Sequence, residues 1–128
     1  MGEGRHTRVL VELGFRTFGV DRDQARVGRA YCNLRTLGQK AFLWVADLDY
    51  CPLAERHFDL VLCSRYLQRN LWAELAGSVK SGGFVIYETF TTHQRQYDWG
   101  PHSSDHLLKP GELRDSFKGW EIWAYDER

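Results

Sequence analysis

Residues 1–23, MGEGRHTRVLVELGFRTFGVDRD, combine a glycine turn, an amphipathic helical pattern and a short apolar strand that ends in an acid. Gly2 and Gly4 permit a tight turn in which the backbone closely approaches a ligand. Free N–H groups at the start of the following helix favour an anion or a carboxylate. Asp21 follows Gly4 near the roughly 20-residue separation expected for an acid that binds a ribose. The stretch therefore predicts a nucleotide-type binding unit.

Simpler interpretations of the same residues stay open. A glycine pair so close to the N-terminus also fits a disordered end. An aspartate between a strand and a helix is most often a helix cap, and either Asp21 or Asp23 fits that role. Asp47 follows an apolar run, so it is either an acceptor for an adenine amino group or the start of a turn. The sequence alone does not decide between these roles.

Hydrophobic periodicity predicts four helices, over residues 4–13, 23–37, 70–79 and 110–117. Apolar runs predict five strands, over residues 16–20, 41–46, 58–63, 84–87 and 120–125. The runs at 41–46 and 58–63 lack alternation, which is typical of strands buried on both faces. Such an alternation of helices and strands predicts a single α/β domain over residues 1–128. Its expected fold is Rossmann-like, a mostly parallel sheet with helices on both faces.

Composition excludes several classes of function. The 17 basic and 17 acidic side chains give a formal net charge of zero, which argues against a nucleic-acid surface. No apolar run approaches the roughly 18 residues needed to span a bilayer, so no membrane role is expected. The three cysteines match no zinc spacing and are odd in number. They are interpreted as reduced thiols of a cytoplasmic protein without a metal site.

Five motifs occur in an order that resembles the class I S-adenosylmethionine-dependent methyltransferases. The chain contains MGEGRH, FGVDRD, VADLDYCPL, FDLVLCSRYL and VKSGGFVIYETF in that order. These are similar to the family's glycine motif, the acid after its second strand, the aspartate after its third, and its fourth and fifth strands. YETF followed by LLKPGELRDSF is similar to the small-molecule branch related to tellurite-resistance methyltransferases.

The resemblance implies a cofactor, S-adenosylmethionine, and a small-molecule methyl acceptor. It also assigns roles to individual residues, although it names no catalytic residue. Cofactor binding is implied for Gly2, Gly4, Asp21, Asp47, Leu48 and Ser64. Contact with the acceptor is implied for Arg65 and Tyr66, which follow the fourth strand of the family, and for His6. In-line transfer of a methyl group depends on positioning more than on acid–base help.

The chain departs from the family pattern at both ends. The family has a strand and an acid before the glycines and usually a seventh strand, and the sequence resembles such a domain without its first and last strands. A sheet without its central strand exposes two unpaired edges, which predicts self-association and impaired activity. Two other functions are weighed against methyl transfer. One is a non-catalytic fragment that binds a partner through these edges, and the other is a nucleotide-binding oxidoreductase, although Thr7 replaces the third glycine of its usual motif.

Overall fold

The computed structural model describes residues 1–128, which divide into two compact units, Met1–Pro52 and Leu53–Arg128. The first unit contains, in chain order, α1 (Arg5–Glu12), β1 (Phe18–Asp21), α2 (Gln24–Thr36) and β2 (Phe42–Val45). The second contains β3 (Phe58–Ser64), α3 (Trp72–Ser78), β4 (Val79–Glu88) and α4 (Glu112–Ser116). Short 3₁₀ helices lie at Arg69–Leu71, Thr92–Gln96 and Ser104–His106. The predicted α/β class is confirmed. None of the helices is long and apolar enough to cross a membrane.

In the first unit, β1 and β2 form a two-stranded parallel sheet in which Phe18 pairs with Phe42. The two rings stack with their centroids 5.1 Å apart. Helix α2 buries one face, made of Val27, Ala30 and Leu34, of which Ala30 has no exposed surface. That spacing is the one expected for the core face of a helix. The helix predicted over residues 23–37 is therefore confirmed, although Tyr31 and Leu37, at the same helical spacing, are about half exposed.

The second unit is built on a parallel pair of strands, β3 and β4, with Cys63 opposite Tyr87 and Ser64 opposite Glu88. Its core contains Leu71, Leu75, Val79, Leu107 and Leu108. The last two belong to the segment between β4 and α4. That segment folds back, because Leu108 donates its N–H to Phe90 and accepts one from Thr92, each at 2.9 Å.

Several predictions of local structure are wrong. The segment 41–46 was expected to be buried on both faces, but Phe42 and Val45 are about half exposed because β2 pairs only with β1. Residues 120–125 form no strand, since no neighbouring strand pairs with them, and Trp123 is 74% exposed. Residues 80–83, which lie between a predicted helix and a predicted strand, are part of β4, close to a shift in strand register. The strands of the first unit form one parallel pair, and those of the second unit form another.

Each two-stranded sheet has two outer edges, one on each strand, that pair with no further strand. The carbonyls of Thr17 and Asp21 accept N–H groups from Phe42 and Ala46 across the first pair. Alternate residues of a strand direct their backbone to opposite sides, so Phe18 and Val20 present theirs to the other edge of β1. There the amino nitrogen of Met1 donates to the Val20 carbonyl at 2.9 Å.

Candidate functional site

The turn before α1 rests on the end of β1 through the Asp21 carboxylate. Asp21 Oδ2 accepts the Gly2 N–H at 2.8 Å and lies 3.4 Å from the Met1 ammonium. Asp21 Oδ1 accepts the Asp23 N–H at 3.0 Å. Burial raises the pKa of the Asp21 carboxyl, but the hydrogen bonds from Asp23 and Gly2 and the Met1 ammonium outweigh it and lower that pKa overall. The carboxylate is therefore ionised at neutral pH.

The structure separates the roles of the two aspartates. Asp23 caps α2, because its Oδ1 accepts the N–H groups of Ala25 and Arg26 at 2.9 and 3.2 Å. Asp21 makes no bond to the first turn of that helix and is held instead against the glycine turn. A carboxylate has about four acceptor positions, so Asp21 retains capacity for further donors such as a pair of ribose hydroxyls.

Gly2 and Gly4 both have left-handed backbone conformations, with φ of 60° and 88°, but their surroundings differ. A side chain at Gly2 would meet nothing within 4 Å. A Cβ at Gly4 would lie 2.9 Å from the Ala30 Cβ, closer than such atoms approach. Gly4 is thus explained by close packing of the turn on α2. Gly2 borders open space, which is compatible with a bound ligand.

The remaining predicted residues of the first unit lie in α1 and after β2. The Asp47 side chain is exposed, and its Oδ1 accepts the Asp49 N–H at 3.0 Å in a local turn. Leu48 beside it is half-buried. The His6 side chain is partly buried, and its Nε2 atom is inaccessible to solvent and forms no hydrogen bond. An unsatisfied buried nitrogen is uncommon in folded proteins.

In the second unit, Ser64, Arg65 and Tyr66 follow one another at the carboxyl end of β3. Arg65 has a left-handed conformation (φ 53°), and its N–H donates to the Glu88 carbonyl at 2.8 Å. The Tyr66 carbonyl accepts the Tyr87 hydroxyl at 2.6 Å and lies 3.8 Å from Cys63 Sγ. Tyr87 and Cys63 thus support the turn after β3. The sequence did not indicate this role, because both residues lie in apolar strand patterns that give no sign of a hydrogen bond.

Both supporting side chains stay protonated at neutral pH. Burial is the largest cause that raises the pKa of the Tyr87 hydroxyl and of the Cys63 thiol. They therefore act as neutral donors that fix the turn.

Nowhere in residues 1–128 do three or more His, Cys, Asp or Glu side chains lie close enough together to hold a metal ion.

Solved structures of similar fold include several methyltransferases. TehB from Haemophilus influenzae superposes with a TM-score of 0.82 and 16% identity, covering 99% of this chain and 46% of TehB. An S-adenosylmethionine-dependent methyltransferase from Mesorhizobium loti has a TM-score of 0.60 and 26% identity, covering 70% of this chain and 43% of that one. The PH0226 protein from Pyrococcus horikoshii has a TM-score of 0.66 and 18% identity, covering 74% of this chain and 45% of its own. The chain thus spans less than half the length of each of these relatives.

No curated protein matches the chain. A family model described as a methyltransferase domain does match, over residues 1–83. The match includes the glycine turn, Asp21 and Asp47 of the first unit, and also β3 and the turn after it in the second unit. It covers well over half of the 128 residues. The chain therefore belongs to the methyltransferase domain family.

Proposed function

We propose that the protein takes part in the transfer of a methyl group from S-adenosylmethionine to a small-molecule acceptor. The observation that carries the proposal is the ionised Asp21 carboxylate at the end of β1, held by the Gly2 N–H at 2.8 Å. A fixed, partly buried carboxylate with unused acceptor positions suits the hydroxyl pair of a ribose. Membership of the methyltransferase domain family supports the choice of this cofactor over other nucleotides.

Donor binding is assigned to the six residues that the resemblance to the family implies. Asp21 would accept the ribose hydroxyls, and the open space beside Gly2 would admit the methionine part, with Gly4 shaping the turn. Asp47 and Leu48 would meet the adenine, and Ser64 would border the methyl group. The bound cofactor supplies an electrophilic methyl group. The residues of this chain would bind and orient the reactants, which is the main requirement for in-line transfer.

The acceptor is assigned to His6, Arg65 and Tyr66. The His6 Nε2 atom has no hydrogen-bond partner but is shielded from solvent, so the assignment of His6 rests on the resemblance to the family. Arg65 and Tyr66 follow β3 at its carboxyl end, where ligands bind in open α/β sheets. The likeness in fold to TehB supports an acceptor of the small-molecule branch. The three free cysteines support a cytoplasmic location.

A comparison of two neighbouring aspartates tests the donor site. Asp21→Asn should weaken binding of S-adenosylmethionine about tenfold to a hundredfold in a calorimetric titration, because a hydrogen bond to a charged group is worth about 1.5–3 kcal/mol. Asp23→Asn is the matched control, since it also removes one charge but keeps a residue that caps helices well. Equal affinity of the two variants would show that Asp21 has no part in cofactor binding.

A second candidate function rests on the unpaired strand edges. β1 pairs only with β2, and β3 only with β4, so an extended segment of another chain could add to either edge. On this account the protein binds a partner, or a second copy of itself, without catalysis. Light scattering after size-exclusion chromatography, over a hundredfold range of concentration, tests the self-association. A constant monomer mass would count against a second copy as the partner.

A further inference from the structure

Two arginines that flank β3 adopt a backbone conformation that side chains rarely adopt. Arg65, directly after the strand, has φ of 53°, and Arg56, two residues before it, has φ of 43°. Every other residue of the chain with positive φ is a glycine. A glycine would adopt this conformation without steric cost. The backbone conformation at position 65 therefore does not itself favour an arginine.

The left-handed turn at Arg65 is firmly held by its surroundings. The Arg65 N–H donates to the Glu88 carbonyl at 2.8 Å, and the next carbonyl, that of Tyr66, accepts the Tyr87 hydroxyl at 2.6 Å. Cys63 Sγ lies 3.8 Å from the same carbonyl oxygen. Strained conformations persist where neighbouring contacts fix them, and they cluster at ligand sites. These contacts thus fix the backbone from which the Arg65 side chain extends, at the carboxyl end of β3.

The Arg65 guanidinium carries an uncompensated charge. It forms no ion pair and donates no hydrogen bond, although Glu88 lies next to it on the neighbouring strand. The residue is exposed, and the adjacent Tyr66 is 41% exposed. A planar guanidinium matches the oxygens of a carboxylate or phosphate with two parallel hydrogen bonds. An aromatic side chain beside it offers a surface for an apolar ligand body.

We propose that Arg65 determines specificity by binding an oxyanion group, carboxylate or phosphate, of the methyl acceptor. The proposal rests on the proposed function, which it narrows to acceptors that carry a negative charge on an apolar or aromatic body. Arg56 does not share this role, because it lies at the amino end of β3, away from the edge where ligands bind in such sheets. It resembles Arg65 in its positive φ, its exposure, its unpaired guanidinium and an N–H bonded to a neighbouring carbonyl, that of Gly77, at 2.9 Å.

The test follows the side-chain Nε–Hε resonance of Arg65 in the full 128-residue chain by NMR. Sodium benzoate and phenyl phosphate are the anionic probes, and benzamide is the neutral probe of similar shape. Saturable shifts of the Arg65 resonance with benzoate or phenyl phosphate, and none with benzamide, are expected. A response to one anion alone identifies whether a carboxylate or a phosphate is the better ligand.

Two glycine variants form the matched comparison. With binding followed by the backbone N–H resonances of Ser64 and Tyr66, which every variant retains, Arg65→Gly should weaken binding of the anion about tenfold or more, whereas Arg56→Gly should bind as the wild type does. Because both substitutions place a glycine at a left-handed position, their unfolding midpoints should change alike. The proposal is overturned if the wild type does not respond to either anion, or if Arg65→Gly binds them unchanged. The same samples are also titrated with S-adenosylmethionine, whose binding does not require Arg65. If S-adenosylmethionine binds and the anions do not, the proposal for Arg65 fails while the proposed function stands.

Discussion

At the scale of single residues, the central distinction is between Asp21 and Asp23, which the sequence alone leaves interchangeable. Both lie between a strand and a helix, where a carboxylate commonly serves as a cap. The geometry gives the cap to Asp23 and leaves Asp21 facing the glycine turn. The Asp21 carboxylate does not cap the helix, yet the N–H groups of Gly2 and Asp23 hold it in place. It is therefore pre-organised for a ligand.

The lowered pKa of Asp21 predicts how stability depends on pH. The pKa of the Asp21 carboxyl is lower in the folded state than in the unfolded state. Its contribution to stability is therefore complete at pH values above the unfolded-state pKa, about 3.9, and is lost as the pH falls through the folded-state pKa. Urea unfolding at pH 7 and pH 3 should therefore show a larger loss of stability in the wild type than in Asp21→Asn. Equal losses in the two proteins would mean that Asp21 interacts equally in the folded and unfolded states.

The two glycines of the turn predict a graded effect of alanine. Gly2→Ala and Gly4→Ala both place a side chain in a left-handed conformation, at a cost of about 1–2 kcal/mol. Gly4→Ala should cost about 1–3 kcal/mol more, because its Cβ would lie 2.9 Å from that of Ala30. Chemical denaturation measures both. If the two variants were equally stable, the turn would not be packed on α2 as described.

At the scale of helices and strands, the sequence predicted most elements but not their burial. The helix at Gln24–Thr36 and the strand at Phe58–Ser64 were predicted to within a few residues, because their periodicity or apolar length is unambiguous. The failures share one cause. Whether an apolar run such as 41–46 or 120–125 is buried or paired depends on neighbouring strands, which a local pattern does not specify.

The same limit applies to the candidate site. The separation of Asp21 from Gly4 predicted their proximity, since that spacing reflects one helix and one strand. The sequence around Arg65 did not predict a left-handed turn, because neither glycine nor asparagine occurs there. The support from Tyr87 and Cys63 depends on the register of β3 against β4, which becomes visible only once the strands are paired.

The segment after β4 is held down by an ion pair between the Arg69–Leu71 turn and α4. Arg69 bonds to both carboxylate oxygens of Glu112, and its guanidinium also donates to the Leu107 carbonyl at 2.9 Å. The hydrogen bond from Arg69 is the main cause that lowers the pKa of Glu112. The pair thus links α4 to the buried Leu107 through backbone and side chain together.

Arg69→Lys should loosen this segment, because lysine cannot reproduce the forked contacts. A loss of about 1 kcal/mol in stability is expected, since the pair is partly exposed and therefore screened. Hydrogen exchange should become faster at the N–H groups of Thr92 and Leu108, which close the segment. Arg95→Lys is a useful control, as Arg95 contacts only the His102 carbonyl. Unchanged exchange in Arg69→Lys would show that the segment is held by Leu107 and Leu108 alone.

At the scale of the whole molecule, the match to the methyltransferase domain extends across both compact units. Each unit contributes a parallel strand pair whose carboxyl end carries polar residues, Asp21 in the first and Ser64 with Arg65 in the second. A single methyltransferase-like domain made of both units remains the prediction. The unpaired edges of β1 and β3 predict that association, if it occurs, adds backbone hydrogen bonds at these strands.

Binding of S-adenosylmethionine to the 128-residue chain is the most direct test of the account. Isothermal titration of the wild type should give saturable binding at one site, with NAD giving no heat above dilution. The first result follows from the Asp21 carboxylate and the glycine turn, and the second from membership of the methyltransferase domain family. Absence of binding to S-adenosylmethionine, or equal binding of NAD, would contradict the account.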